Sequence, residues 1–258
     1  MKSPGLLPTS SPQHWLTAND LDLAVTTFGA VPDVDVTRAV RAIGRVLRRH
    51  HLDAATRVRV TAPDDAEAAT VVQANVRWRG VATRVQVPGP GGFAVTFAAE
   101  RLDRQLARLA TTQPRAWPDP ARPPLARVTE PRPIVRRKQC ALRTGTPAEA
   151  TAVLDAMDYD AYLFIDRASG TEAVVHWGDP LGVRLARQDA AVRGPSTVDS
   201  LPLTVDTEPA SGLDEDRAAH ILCHHGLPFL FFTDQARGRG RLLYRRYDGD
   251  LTLVEPAH

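Results

Sequence analysis

Two sets of side chains in this 258-residue sequence could do chemistry. The first is arginine. Arg38, Arg41, Arg45, Arg48 and Arg49 crowd one short stretch, followed by His50 and His51. Arg101, Arg104 and Arg108 recur at i, i+3 and i+7, while Arg57, Arg59, Arg77, Arg79 and Arg84 sit among apolar residues. A guanidinium is always charged and donates in a planar fork that matches phosphate oxygens. Several on one small domain bind a nucleic-acid backbone without reading its sequence. For any single arginine, an ion pair along a helix, such as Glu100 with Arg104, is the plainer use; the set as a whole favours backbone binding. The second set is His220-Ile-Leu-Cys223-His224-His225. Metal sites use these residue types, and on a helix 220, 223 and 224 share a face. No further ligands for a closed site stand out, so no metal is expected. Nor does any nucleophile with a base and an orienting acid, so no catalytic residue, no cofactor and no enzyme is expected. Pro88-Gly-Pro-Gly-Gly92 is not followed by Gly-Lys-Ser/Thr and reads as a turn, not a phosphate loop.

These arginines need elements to hold them. Asp20 to Thr26 alternates as a half-buried strand, and Val36, Val40, Ile43 and Leu47 recur at helical spacing, predicting a helix from about Asp35 to His50. Strands follow near 56–62, 69–79 and 81–88. Period-2 alternation puts Arg57 with Arg59, and Arg77 with Arg79, on one face of their strands. A second helix is expected from about Phe93 to Ala110, burying Ala98, Leu102, Leu106 and Leu109, with Arg101, Arg104 and Arg108 along its exposed side. The fold class is therefore α+β, in the order β-α-β-β-β-α, with two helices on one face of an antiparallel sheet.

Charge divides the chain. Residues 1–110 hold 14 Lys/Arg against 10 Asp/Glu, residues 111–138 hold 7 against 2, and residues 139–258 hold 11 against 18. A basic first half joined to an acidic second half suggests that only the first approaches a polyanion. Residues 1–19 read as a flexible arm; Pro4, Pro8 and Pro12 interrupt any apolar run that could make a signal peptide. Residues 20–110 form the basic domain, and 111–133, with seven prolines, an extended linker. No 18-residue apolar run exists, and two cysteines make no disulfide framework, which points to the cytoplasm and to no membrane.

Beyond the linker the chain repeats itself. A shift of 68 residues lays Asp166-Arg-Ala-Ser-Gly170 on Asp234-Gln-Ala-Arg-Gly238, Phe164 on Phe232, Leu154 on Leu222, and Val174-Val175 on Leu242-Leu243. The strands preceding the two helices do not align at this shift. We expect a first repeat over 134–188, a connecting loop over 189–200 and a second repeat over 201–258. Thr146-Pro-Ala-Glu149 and Asp214 are N-caps for the two repeat helices. The chain ends in Tyr244-Arg245-Arg246-Tyr247-Asp248-Gly249, then Leu251 to Pro256, a strand, an Asp-Gly turn and a second strand.

That ending resembles the terminal signature of long-form ribosome hibernation promoting factors, roughly Tyr-Arg-Arg-x-Asp-Gly-x-x-Gly-Leu-Ile-x-Pro. Tyr244, Arg245, Arg246, Asp248, Gly249, Leu253 and Pro256 match, while Thr252 and Val254 stand at its Gly and Ile and Glu255 at its last open position. The first repeat has His176-Trp177-Gly178 where the signature has Tyr-Arg-Arg. Ile134 to Lys138 resembles the strand that opens the family's C-terminal domain. Thr37-x-Ala39-Val40-Arg41 and Arg101-Leu102-x-Arg104-Gln105-Leu106 resemble its two N-terminal helices, although the family's Asp-x-Tyr-x-x-Ile-Asp is absent. The resemblance implies a non-enzymatic factor whose N-terminal domain occupies the decoding region of the small ribosomal subunit and blocks messenger and transfer RNA. It also implies that the C-terminal domain is half of a symmetric dimer; two halves in one chain would make a monomer with an internal pseudo-dimer, on single ribosomes. The alternative is an RNA-tethered interaction module that recruits a protein partner.

Overall fold

The computed structural model describes residues 13–16, 21–62, 69–111, 115, 118, 128–178, 182–189, 202–246 and 249–257. The chain splits into two compact units, residues 1–113 with 156–158, and residues 114–155 with 159–258.

The first unit contains β1 (Gln13–Leu16), β2 (Leu23–Phe28), α1 (Asp33–Arg49), β3 (Thr56–Thr61), β4 (Thr70–Trp78), β5 (Val81–Gly89) and α2 (Phe93–Leu109). The five strands form one sheet in chain order. Val25, Val58, Val60, Val72, Ala74 and Val85 alternate onto one face, where they meet Ile43 and Leu47 of α1 and Leu102 and Leu106 of α2 in a single core. Burying each large aliphatic side chain stabilises this layer pair by about 1.5–3 kcal/mol. Asp33 and Asp35 in the first turn of α1, and Arg48 and Arg49 in its last, suit the helix dipole. The architecture is the expected α+β, with two differences. β2 and β3 run parallel because α1 returns the chain to the starting edge, so the sheet is mixed and only its other pairs are antiparallel. And β1 lies within the expected arm, pairing with β2; four residues are too few to show alternation. Pro88, which has no N–H to give a ladder, falls on the edge strand β5.

The second unit contains β6 (Ile134–Cys140), β7 (Thr144–Gly145), α3 (Pro147–Ala156), β8 (Ala161–Asp166), β9 (Glu172–Trp177) and β10 (Val183–Arg187). These are followed by β11 (Leu203–Val205), β12 (Gly212–Leu213), α4 (Glu215–His224), β13 (Phe229–Asp234), β14 (Gly240–Arg245) and β15 (Leu251–Pro256). From β7 to β10 every element begins 68 residues before its counterpart. Both helices are capped as expected. Thr146 and Glu149 exchange backbone-to-side-chain bonds of 2.7 and 3.2 Å, and Asp214 accepts from the Arg217 amide at 2.7 Å.

The opening strands are exchanged. One sheet has the order β11-β10-β9-β8-β7 and the other β12-β13-β14-β15-β6. Thus β6, which starts the first repeat, completes the sheet of the second, and β11 does the reverse. Both join in parallel, Arg184 opposite Thr204 and Thr252 opposite Arg136. Those pairs are 68 apart on both sides, so the opening strands share the common shift; their sequences hide it because only position, not composition, is kept. A register shift at Val135 accommodates the longer β6. Each sheet packs one face on its own helix, around Phe164 and Leu154 in one case and Phe232 and Leu222 in the other. The opposite faces meet in a shared cluster of Leu163, Val174, Phe231 and Leu242, joined by Ala161 with Phe229 and Ala186 with Val254. Every member has its equivalent 68 residues away.

Candidate RNA-binding surface

At 100° per residue, Arg38, Arg41, Arg45, Arg48 and Arg49 fall within an arc of about 100° on α1 and span about 16 Å of its length. All five are exposed. Opposite them on the same helix, Val36, Ala39, Ile43, Val46 and Leu47 are buried, so the core pins the stripe outward. Arg38 bonds Asp35 at 2.7 Å; Arg49 bonds Asp103 at 2.6 Å, and the same carboxylate meets His50 Nε2 at 2.8 Å. Arg41, Arg45 and Arg48 have no carboxylate partner among the described residues. Three unneutralised guanidinium groups flanked by two partly neutralised ones make a linear cationic surface suited to a phosphate backbone.

The remaining arginines divide. Arg104 is exposed on α2, and Arg108 is half-buried with its guanidinium on the Gln105 side-chain oxygen at 2.8 Å. Arg101 departs from the expected exposed side: it is 4% exposed and pairs with Asp158 of the same compact unit at 2.7 Å. Helical spacing placed it on a face but could not reveal an acid 57 residues away. On the sheet face opposite the helices, Arg57 meets Asp22 at 3.1 Å, Arg59 lies over the Phe28 ring and Arg77 donates to the Gly80 carbonyl. Arg84 is half-buried, donating to the Met157 carbonyl at 3.0 Å. Arg79 is not on a strand face with Arg77. β4 ends at Trp78, and Arg79-Gly80 is the two-residue hairpin turn, with φ of 46° and 82°, Arg79 stacking on Trp78.

The terminal signature holds the fold together. Arg245 is 3% exposed and donates to the carbonyls of Gly249 and Val128, bracing the last turn from inside. Tyr244 accepts from Lys138 of the exchanged strand β6 at 2.5 Å. Arg246 closes the loop through its backbone to Asp250, and Gly249 supplies the φ of 86° there; Asp248 lies outside the described residues. In the histidine run, Cys223 points into the α4 core while His220, His224 and His225 are exposed, so the thiol does not join the rings. Sequence reasoning missed Glu215. Its carboxylate takes both Arg137 and Arg241, and the Arg137 hydrogen bond foremost holds it below the ordinary carboxylate range. No periodicity signals such a group, since its partners come from β6 and β14.

Comparison with known proteins adds the rest. The family described as Sigma 54 modulation/S30EA ribosomal protein C terminus matches residues 129–185. Proteins called dormancy associated translation inhibitor from two strains of Mycobacterium tuberculosis, CDC 1551 / Oshkosh and H37Rv, are each 42% identical over 245 residues, covering 91% of this chain and 88% of theirs. The chain belongs to the long-form ribosome hibernation promoting factor family. Hibernation factors of this kind are binding proteins, not enzymes. The family match covers β6 to β9 and ends at Leu185 within β10, whereas the terminal Tyr-Arg-Arg stands in the later copy. The Thermus thermophilus Protein Y N-terminal domain is also similar, at 16% identity and a TM-score of 0.28, over 35% of this chain and 99% of that one.

Proposed function

We propose that this hibernation factor inhibits translation by lodging its N-terminal unit in the decoding region of the small ribosomal subunit, where messenger and transfer RNA would sit. The observation that carries the reading is the α1 stripe: five exposed arginines, three without an acidic partner among the described residues. A phosphate-lined channel suits such a surface, because each contact releases counterions and needs no base readout. Occupancy blocks by exclusion, so no catalytic group is required. The name of the mycobacterial relatives supports inhibition of translation as the outcome. The C-terminal copies pair within one chain as a pseudo-dimer, leaving no free half to join a second ribosome, so the protein acts on single ribosomes. It works in the cytoplasm; none of the described helices is long and apolar enough to cross a membrane.

Binding to purified small subunits tests this. With about five phosphate contacts, affinity should fall about a hundredfold between 50 and 200 mM salt. Arg41→Glu/Arg45→Glu/Arg48→Glu, whose side chains support no core, should bind at least about tenfold more weakly. Undiminished affinity of the folded variant would remove the stripe from the account. Binding that is salt-insensitive, and that needs a protein partner, would favour the recruitment alternative.

A further inference from the structure

Beside the cluster joining the two C-terminal sheets, one pair of equivalent positions carries residues of opposite kind. Glu172 opens β9 and is 6% exposed; its counterpart, 68 residues on, is Gly240 at the start of β14. A Cβ on Gly240 would stand 2.6 Å from the Cβ of Glu172, and 3.0 and 3.2 Å from the Phe231 ring. Two equivalent positions this close must lie beside the approximate twofold axis that relates the copies. At such a position any like-with-like pairing sets the residue against itself.

The chemistry around the position is equally one-sided. Arg239 donates to the Glu172 carboxylate at 2.5 Å, and the residue equivalent to Arg239 is Thr171, which carries no charge. Gln188 accepts from the Glu172 amide and donates to Thr233 and to the Gly238 carbonyl of the other copy. Its equivalent is Pro256, which has no side-chain donor. Pairing two first copies would bring two Cβ atoms to a separation that real side chains do not adopt, and would bury two carboxylates without a cation. Pairing two second copies would set Gly240 against Gly240 and leave Arg239 without the carboxylate it meets here.

We propose that Glu172 and Gly240, with Arg239, form a heterotypic key: the first copy pairs with a second copy and is barred from pairing with itself. This rests on the reading of the two copies as an internal pair, and it adds the reason why pairing is specific. The covalent connection then supplies the matching half at high local concentration. The first copy of one chain can never seat on the first copy of another.

The test uses the full-length chain. Gly240→Glu puts side chains on both sides of the axis and should lower the melting temperature of the C-terminal unit by about 10 °C or more. Misfolding from a bulky insertion is controlled by moving the whole key to the other copy. Exchanging Glu172→Gly with Gly240→Glu, Thr171→Arg with Arg239→Thr and Leu163→Phe with Phe231→Leu should recover at least half of that loss. An unchanged melting temperature in Gly240→Glu overturns the key, as does an exchange no better than Gly240→Glu alone. Sedimentation velocity of the wild type, run alongside, separates the two readings: a dimeric wild type with a successful exchange upholds the key and refutes pairing within one chain.

Discussion

In the first C-terminal copy, Asp166 at the end of β8 is buried against Arg187 of β10, 2.9 Å away. In the second, the equivalent Asp234 is buried against Arg241 of β14, also at 2.9 Å, because the residue equivalent to Arg187 is Glu255. Arg241 in turn replaces Ala173 and serves Glu255 and Glu215 as well. One backbone thus carries two solutions to the same problem. What it demands is a cation beside the buried aspartate; which strand supplies it is free to drift. Under the proposed pairing within one chain, the drift is open to both copies, since each has to fit only its covalent neighbour.

The largest expected effect follows from counting carboxylates. Arg241→Ala strips Asp234, Glu255 and Glu215 of their common partner and should cost about 3–5 kcal/mol in urea denaturation. Among the described carboxylates Arg187→Ala strips Asp166, and it should cost less. A greater loss from Arg187→Ala would break the comparison. Rebuilding the second solution in the first copy sharpens it: Ala173→Arg should restore most of the stability that Arg187→Glu removes. Caps come next. Thr146→Ala and Asp214→Ala should each cost about 1 kcal/mol, because both helices keep an N-cap despite different residues. A cost confined to one copy would show that the other helix is held only by packing.

The smallest effect concerns pH. His176 stands where the second copy has Tyr244, its ring 5.1 Å from that of Phe229. Burial, above all, pushes its pKa below the ordinary 6.5, outweighing its bond to the Trp177 carbonyl and the nearby Asp206. The unfolded chain therefore binds this proton first as pH falls. Stability contributed by the neutral ring is full above 6.5 and is lost as pH drops from there through the folded value. Denaturation at pH 7.5 and 5.5 should show that decline, and His176→Phe should flatten it.

Local chemistry made much of this legible. The repeat showed itself through its hairpin turn, where Asp166 and Asp234 accept amide bonds two residues on and Gly170 and Gly238 take φ of 73° and 64°. Few residues serve there, so the pattern survived divergence. Helix periodicity likewise marked the α1 stripe. The strand exchange was not legible, because β6 and β11 are ordinary strands and nothing in Ile134 to Lys138 says which sheet receives them. Arg101 and Arg79 were misjudged for related reasons. A buried ion pair depends on a distant acid, and alternation does not announce the residue at which a strand turns.

Sedimentation of ribosomes on a sucrose gradient with excess protein tests the central claim most directly. A chain whose two copies satisfy each other should enter the single-ribosome peak and leave no ribosome dimers. A prominent dimer peak that disappears when residues 134–258 are removed would contradict it.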